Sequence, residues 1–245
     1  VVPSYWGGAK EFHLLTEIDV QLVQWQSIGY NGVDRYLPEG IPLANAATVH
    51  ETSTAELALA LTLASQRGIA EFVRDGDAHR WDLRSFPSLA DRRVLLIGYG
   101  GVSKAIEARL AGFEVQLTRL ARTAREEQNL AGQMVEVRGL DALHGALAEA
   151  DIVMLAVPLT AETKNLMDVE ALAAMPDGAL LVNVARGAVV DTDALVAELR
   201  SGRLRAALDV TNPSLSPKTT RCGTARMRLL LHTLVVIRVR CCREW

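Results

Sequence analysis

The chain has little of what marks a secreted, metal-binding or nucleic-acid-binding protein. It holds three cysteines in 245 residues, and Cys222, Cys241 and Cys242 all lie beyond Pro213. No disulfide framework follows from them, so a reducing, cytoplasmic compartment is expected. The adjacent Cys241–Cys242 pair is not a zinc pattern, and no metal site is expected. A formal net charge of −3 gives no sign of nucleic acid or a membrane surface as partner. The longest apolar run, Leu229–Val239, is interrupted by His232 and Arg238 and is too short to span a bilayer. No internal repeat is present, and no secretory signal is read before the first helix.

The charge is unevenly spread. Residues 214–245 carry seven lysines and arginines against one acid, Glu244, which leaves 19 basic and 28 acidic residues before them, net −9. The composition thus changes character in the stretch D-V-T-N-P-S-L-S-P, residues 209–217. Apolar residues make up 49% of the chain, enough for a sizeable core.

Before that break the pattern is orderly. Gln21–Gln26 and Ile41–Asn45 read as short strands, and Glu51–Arg74 as one long helix capped by Thr52, Ser53 or Thr54. A polar, tryptophan-bearing stretch, Gly76–Pro87, reads as a crossover between domains. Strands then alternate with helices. The strands are Val94–Gly98, Glu114–Thr118, Val135–Val137, Ile152–Val157, Ala179–Val184 and Ala206–Val210. The helices are Gly101–Leu110, Ala142–Glu149, Val169–Met175 and Thr192–Ser201. Strands that are apolar throughout indicate a parallel sheet covered on both faces, hence an α/β, doubly wound nucleotide-binding domain.

I-G-Y-G-G-V-S, residues 97–103, follows the first of these strands and opens a helix. Gly98 permits the tight turn and Gly100 the approach of a pyrophosphate to the helix N-terminus, while Ser103 replaces the third glycine of the dinucleotide fingerprint. The second strand ends with Arg119 and then Arg122, with no acid before Glu126. An acid there would bond a ribose 2′-hydroxyl. Two cations instead suit a 2′-phosphate, which favours NADP(H) over NAD(H), unless they are simply solvated arginines.

The segments 150–168 and 180–199, with G-Y-G-G-V-S-K-A-I and R-A-A-L-D-V, resemble the D-isomer-specific 2-hydroxyacid dehydrogenases, a family that includes phosphoglycerate dehydrogenase and glyoxylate/hydroxypyruvate reductase. The resemblance runs from about Val1 to Pro213, and N-V-A-R-G followed by V-D-x-x-A-L is its most specific element. It implies a Rossmann domain over 86–213 after an incomplete flavodoxin-like substrate domain over 1–85, in a homodimer that transfers hydride between NAD(P)H and a small 2-keto or D-2-hydroxy acid. Arg186 matches the arginine that binds the substrate's carboxylate and keto oxygen. The backbone of Ile28 and Gly29 matches a second carboxylate cradle. Gly98, Gly100, Gly101 and Val102 match the pyrophosphate loop. Val157 and Pro158, with Val184 and Ala185, match turns beside the cofactor, and Asp209 the acid that bonds the nicotinamide carboxamide. Asn31 stands where aspartate is usual. His13, His50, His79 and His144 match no catalytic position.

The resemblance also calls for a glutamate after Pro213 and a histidine in a T-P-H segment, the general acid/base pair. Ser214 stands at the glutamate position, and T-P-H is absent. His232 lies near the expected place, but L-L-L-H-T-L-V lacks the turn. With codons chosen from those that encode them, Ser214–Gly223 can be read one nucleotide earlier as E-P-L-P-E-D-H-P-L-W, and Leu230–Ile237 as T-P-H-V-G-G-D. One lost nucleotide near the Pro213 codon is therefore expected, and V-V-P-S-Y-W-G-G resembles the middle of the family's first domain. Two other readings stay open: a non-catalytic NAD(P)-binding or corepressor-like protein, and a nonfunctional gene fragment.

Overall fold

The computed structural model describes residues 1–3, 9–213 and 235–237, and of Val235–Ile237 the backbone alone. The chain divides into two compact units, Val1–Ser53 and Thr54–Trp245.

In the first unit β1 (Val23–Gln24) pairs in parallel with β2 (Leu43–Ala44). These are shorter than the sequence suggests. Phe12, Leu15, Val23 and Val33 form a small core, with Phe12 edge-on to Trp25 at 5.5 Å.

Where the sequence reads one helix over Glu51–Arg74, the structure has two, α1 (Glu51–Gln66) and α2 (Ile69–Asp77). The break is Gly68, at φ +64°. A Cβ there would fall inside the Phe86 ring, so the chain turns on the residue that can adopt a left-handed conformation without a side chain. The expected caps Thr52, Ser53 and Thr54 lie inside α1. Glu51 accepts instead from the Thr48 N–H at 2.5 Å, and the Ser53 hydroxyl donates back to the His50 carbonyl.

The second unit is built on a six-stranded sheet ordered β10-β9-β8-β7-β3-β4. Five strands are parallel: β3 (Arg93–Ile97), β4 (Gln116–Leu120), β7 (Ile152–Leu155), β8 (Leu180–Asn183) and β9 (Arg205–Leu208). β10 (Val235–Ile237) closes one edge antiparallel to β9. Helices α3 (Gly101–Leu110), α4 (Leu143–Glu149), α5 (Val169–Ala174) and α6 (Thr192–Ser201) connect the parallel strands. One core, around Leu95, Val153, Leu155 and Leu181, packs α4, α5 and α6; the other, around Leu96, Met154 and Val182, packs α1 and α3. Every residue of β7 and β8 is buried. That explains the unbroken apolar runs.

The strand expected at Val135–Val137 exists but is not in this sheet. β6 (Met134–Val137) forms an antiparallel hairpin with β5 (Arg125–Gln128). α5 and α6 are capped by Asp168 and Asp191, whose side chains accept from Ala171 and Ala194 N–H groups. No helix among the described residues is long and apolar enough to cross a membrane.

The N-terminal ends of β3 and β7 are tied by Asp151, which accepts from the Arg93 backbone at 2.9 Å and pairs with its guanidinium at 3.1 Å. Burial pushes the Asp151 carboxyl up, but Arg93 outweighs it and holds the group below the usual range. The unfolded chain therefore takes up a proton first as pH falls, so this contribution is complete above about pH 4 and is lost as pH drops through the depressed folded value. Thermal melts are expected to show Tm falling on acidification below that point, with Asp151→Asn lowering Tm at neutral pH and flattening the acid slope. The two glycines of the α1–α2 region are expected to respond oppositely. Gly68→Ala should destabilise by about 2 kcal/mol, from the left-handed backbone and the displaced Phe86. Gly76→Ala, with nothing within 4 Å of the added methyl, should stabilise by up to about 1 kcal/mol in denaturant titrations.

Candidate active site

The loops that leave the C-terminal ends of β3, β7, β8 and β9 bring the expected residues of the second unit to one edge of the sheet. In open parallel α/β sheets this edge is the ligand edge. A cavity of about 540 Å³ lies elsewhere, among Gln66, Arg84, Phe86, Asp151, Gly178 and Arg205, at the strands' N-terminal ends.

β3 runs into Gly98 at φ +90°, where a Cβ would lie 2.6 Å from the Ala156 carbonyl oxygen and 2.7 Å from Val157 Cγ1. Only glycine lets the first turn press against the end of β7. Gly100 caps α3 with an extended backbone, and open space surrounds the place its Cβ would take. Ser103, fully buried, donates its hydroxyl to the Gly98 carbonyl. The residue that departs from the glycine fingerprint thus closes the loop with a hydrogen bond. The helix then begins at Gly101 and Val102, whose first-turn N–H groups have no partner within a helix. A close, side-chain-free approach to a helix N-terminus is what a pyrophosphate requires, and the loop fits one.

Val157 and Pro158 follow β7. The Thr163 hydroxyl donates to the Pro158 carbonyl at 2.6 Å and accepts from the Thr160 N–H at 2.8 Å, which fixes the turn they open.

β8 ends at Asn183, 1% exposed, and this side chain shapes the Arg186 loop. Its oxygen accepts from the Ala185 N–H at 2.9 Å, its amide donates to the Arg186 carbonyl at 3.1 Å, and its own carbonyl accepts from the Asp209 N–H at 3.0 Å. Val184 and Ala185 are buried beneath the loop. Arg186 is partly exposed and donates to the Ala185 carbonyl at 2.7 Å. Gly187 meets the backbone of Thr211 and Asn212 so closely that any Cβ would overlap Thr211. Burial pushes the Asp209 carboxyl above its usual range, and the Arg186 charge offsets this only in part. Residue Asp209 nonetheless keeps solvent-exposed surface.

At the end of β4 the two arginines differ in their surroundings. Arg119 is committed: its Nε and Nη2 donate to both oxygens of Glu107 on α3, at 2.9 and 2.8 Å. Arg122 is exposed. The Glu107 carboxylate also accepts from Tyr99 Oη at 2.6 Å and Asn129 Nδ2 at 2.9 Å. Burial raises Glu107, but these donors, Arg119 foremost, outweigh it and hold the carboxyl below its usual range. Burial and the Glu107 charge push the Tyr99 phenol up to about 12.

Ile28 and Gly29 lie in the first unit. Their carbonyls accept from Asn45 Nδ2 and Trp25 Nε1, both at 3.0 Å, which pins the loop. His50 Nε2 is 2.9 Å from the Gln26 carbonyl, a backbone-tethering role. Among the described residues no group of three or more His, Cys, Asp or Glu is placed to hold a metal. Ser214 and His232 lie outside the described residues.

The sequence reading missed Asn183, Gly187 and Glu107. Asn183 and Gly187 were inside the N-V-A-R-G signature but had no assigned role. Glu107 carried a signal: it sits between Ile106 and Leu110, two apolar residues of the buried face of its helix, where a carboxylate needs partners.

The chain spans 60% of the length of the glyoxylate reductase of Pyrococcus horikoshii, with which it is 36% identical over 207 residues, 78% of its own length. It is 38% identical over 182 residues to the D-3-phosphoglycerate dehydrogenase of Mycobacterium leprae, covering 73% of this chain and 34% of that one. Its fold matches the D-isomer specific 2-hydroxyacid dehydrogenase of Xanthobacter autotrophicus Py2, solved with NADPH and MES, at a TM-score of 0.72 and 29% identity, over 91% of this chain and 71% of the other. The NADPH-dependent glyoxylate/hydroxypyruvate reductase of Sinorhizobium meliloti, solved with NADP and malonate, matches at 0.71 and 30% identity, over 82% of this chain and 63% of that one. Residues 59–233 match the D-isomer specific 2-hydroxyacid dehydrogenase NAD binding domain. With its glycine loop, its Asn183-built Arg186 loop and this match over most of its length, the chain belongs to the D-isomer specific 2-hydroxyacid dehydrogenase family.

Proposed function

We propose that the chain derives from an NAD(P)-dependent reductase of small 2-keto acids, with glyoxylate and hydroxypyruvate as the first substrates to test. The observation that carries this reading is Arg186, held by Asn183 at the ligand edge of the sheet, next to the strand whose end bears Asp209. A guanidinium so placed binds a carboxylate and a keto oxygen together, and stabilises the oxygen as it gains charge. When bound, the cofactor supplies or receives the hydride at C2 of the substrate. Gly98, Gly100, Gly101 and Val102 hold its pyrophosphate, Val157, Pro158, Val184 and Ala185 border it, and Asp209 accepts from its carboxamide. The family resemblance also assigns carboxylate binding to the backbone of Ile28 and Gly29. Exposed Arg122 supports NADP over NAD, in the company of neighbours solved with NADPH and NADP.

The proposed organisation is a partial substrate domain over 1–85 and a cofactor domain over 86–213, in a cytoplasmic homodimer.

A second reading rests on a specific observation: Ser214 stands where the family's glutamate belongs, and no T-P-H follows. A chain without that pair binds cofactor but lacks acid/base assistance worth about 10²–10⁴-fold.

NADPH oxidation with glyoxylate or hydroxypyruvate separates the two. Turnover supports the reductase, binding of NADPH without turnover supports the cofactor-binding remnant, and binding of neither NADPH nor NADH overturns both. Where turnover is measured, Arg186→Gln is expected to lower kcat/KM by about 10²–10³-fold while leaving the NADPH Kd within about threefold. Gly98→Ala should instead weaken dinucleotide binding by more than about tenfold in a fluorescence titration, because the loop cannot close against Ala156.

A further inference from the structure

Glu107 is not among the residues assigned above to the cofactor, yet it is among the most heavily hydrogen-bonded side chains of the described residues. It is 7% exposed, and each carboxylate oxygen accepts two hydrogen bonds. The donors come from three different segments: Tyr99 from the phosphate loop, Arg119 from β4 and Asn129 from the turn of the β5–β6 hairpin. Its helix, α3, is the one whose N-terminus receives the pyrophosphate.

The hairpin is tied to the same loop a second time. Arg125 Nη2 donates to the Tyr99 carbonyl at 3.1 Å. Glu127 bridges Arg125 and Lys104, each at 2.6 Å. Lys104 and Arg119 both approach the Tyr99 ring, at 5.8 and 5.9 Å from its centroid. The cations Lys104, Arg119 and Arg125 therefore face the anions Glu107 and Glu127, and of these five Arg119 and Glu107 are the most enclosed. Arg119 gives Nε and Nη2 to Glu107 and turns Nη1 to the Leu117 carbonyl at 3.5 Å. Its guanidinium is spent within the protein. Arg122, three residues on and exposed, forms no salt bridge among the described residues.

We propose that Glu107 is a positioning residue that sets cofactor preference: it neutralises Arg119 and turns it under the phosphate loop, so that the 2′-phosphate of NADP is read by Arg122 alone. The inference rests on the NAD(P) reading above and names the residue that decides between its two forms. Charge supplies the logic. A buried carboxylate near the end of β4, the strand whose end meets the ribose in dinucleotide-binding folds, would disfavour a second anion there, and a paired arginine cancels it. Removing the carboxylate leaves Arg119 as an uncompensated cation. Removing the arginine leaves the carboxylate exposed to the phosphate. Removing both restores the neutral balance.

The test is a set of fluorescence titrations of the full chain with NADPH and with NADH, read as the ratio of the two affinities. Damage to the fold weakens both ligands and cancels in that ratio. Glu107→Gln is expected to raise the preference for NADPH about fivefold, and Arg119→Gln to lower it by a similar factor. The double variant should return to the wild-type ratio. Arg122→Gln should lower the ratio by more than about tenfold, and Tyr99→Phe, which leaves every charge in place, should not move it. A double variant as low as Arg119→Gln would show that Arg119 reads the phosphate itself and would overturn the inference. So would an unchanged ratio in Glu107→Gln. Should Glu107→Gln fail to fold, the comparison of Arg119→Gln with the double variant makes the same decision. A wild-type chain that binds neither dinucleotide overturns the cofactor reading, and this inference with it.

Discussion

Burial of a parallel sheet on both faces is the constraint on which the rest of this structure depends. Once β3, β7 and β8 are covered by helices above and below, their interior side chains are apolar, and polar residues are left to the strand ends, Arg93 at the start of β3 and Asn183 at the end of β8. Function is displaced to the loops at the strand ends. The glycine loop, the Val157–Pro158 turn, the Arg186 loop and Asp209 are all exits from consecutive neighbours in the sheet order. Their proximity is a product of topology, since they are spread over more than a hundred residues of sequence.

Within that frame, each loop is set by one or two polar side chains that never face a ligand. Ser103 closes the glycine loop, Thr163 fixes the turn after β7, and the Asn183 side chain holds two backbone groups around Arg186. Each satisfies buried backbone atoms that an irregular loop would otherwise leave unpaired. A glycine then permits the close approach: Gly98 against β7, Gly187 against the segment after β9. The chemistry-bearing residues are few because the supporting residues are many.

Much of this was legible in the sequence, and the reasons differ by element. The central strands showed as continuous apolar runs because both of their faces are buried. The glycine loop and N-V-A-R-G showed because backbone and charge requirements there allow few residue types. The split at Gly68 was not legible: the apolar pattern continues across it, and the glycine's necessity comes from Phe86, eighteen residues away. Of the hairpin, Val135–Val137 was legible as a strand, but its partner β5 was hidden, because R-E-E-Q carries no apolar alternation and is held by Arg125, Glu127 and Asn129 reaching to other elements. Arg119 and Arg122 looked alike as residue types. Only the fold reveals that one of them has a carboxylate beneath it, supplied by a helix twelve residues earlier.

The contact between Gly187 and Thr211 has a mechanical consequence. The loop that carries Arg186 and the segment that leaves Asp209 touch backbone to backbone, with no side chain between them to tilt or repack. Neither loop can move toward the other without backbone overlap, so each limits how far the other can close. The separation of the two loops, and with it the spacing of the arginine from the segment after β9, is set by the absence of a single methyl group.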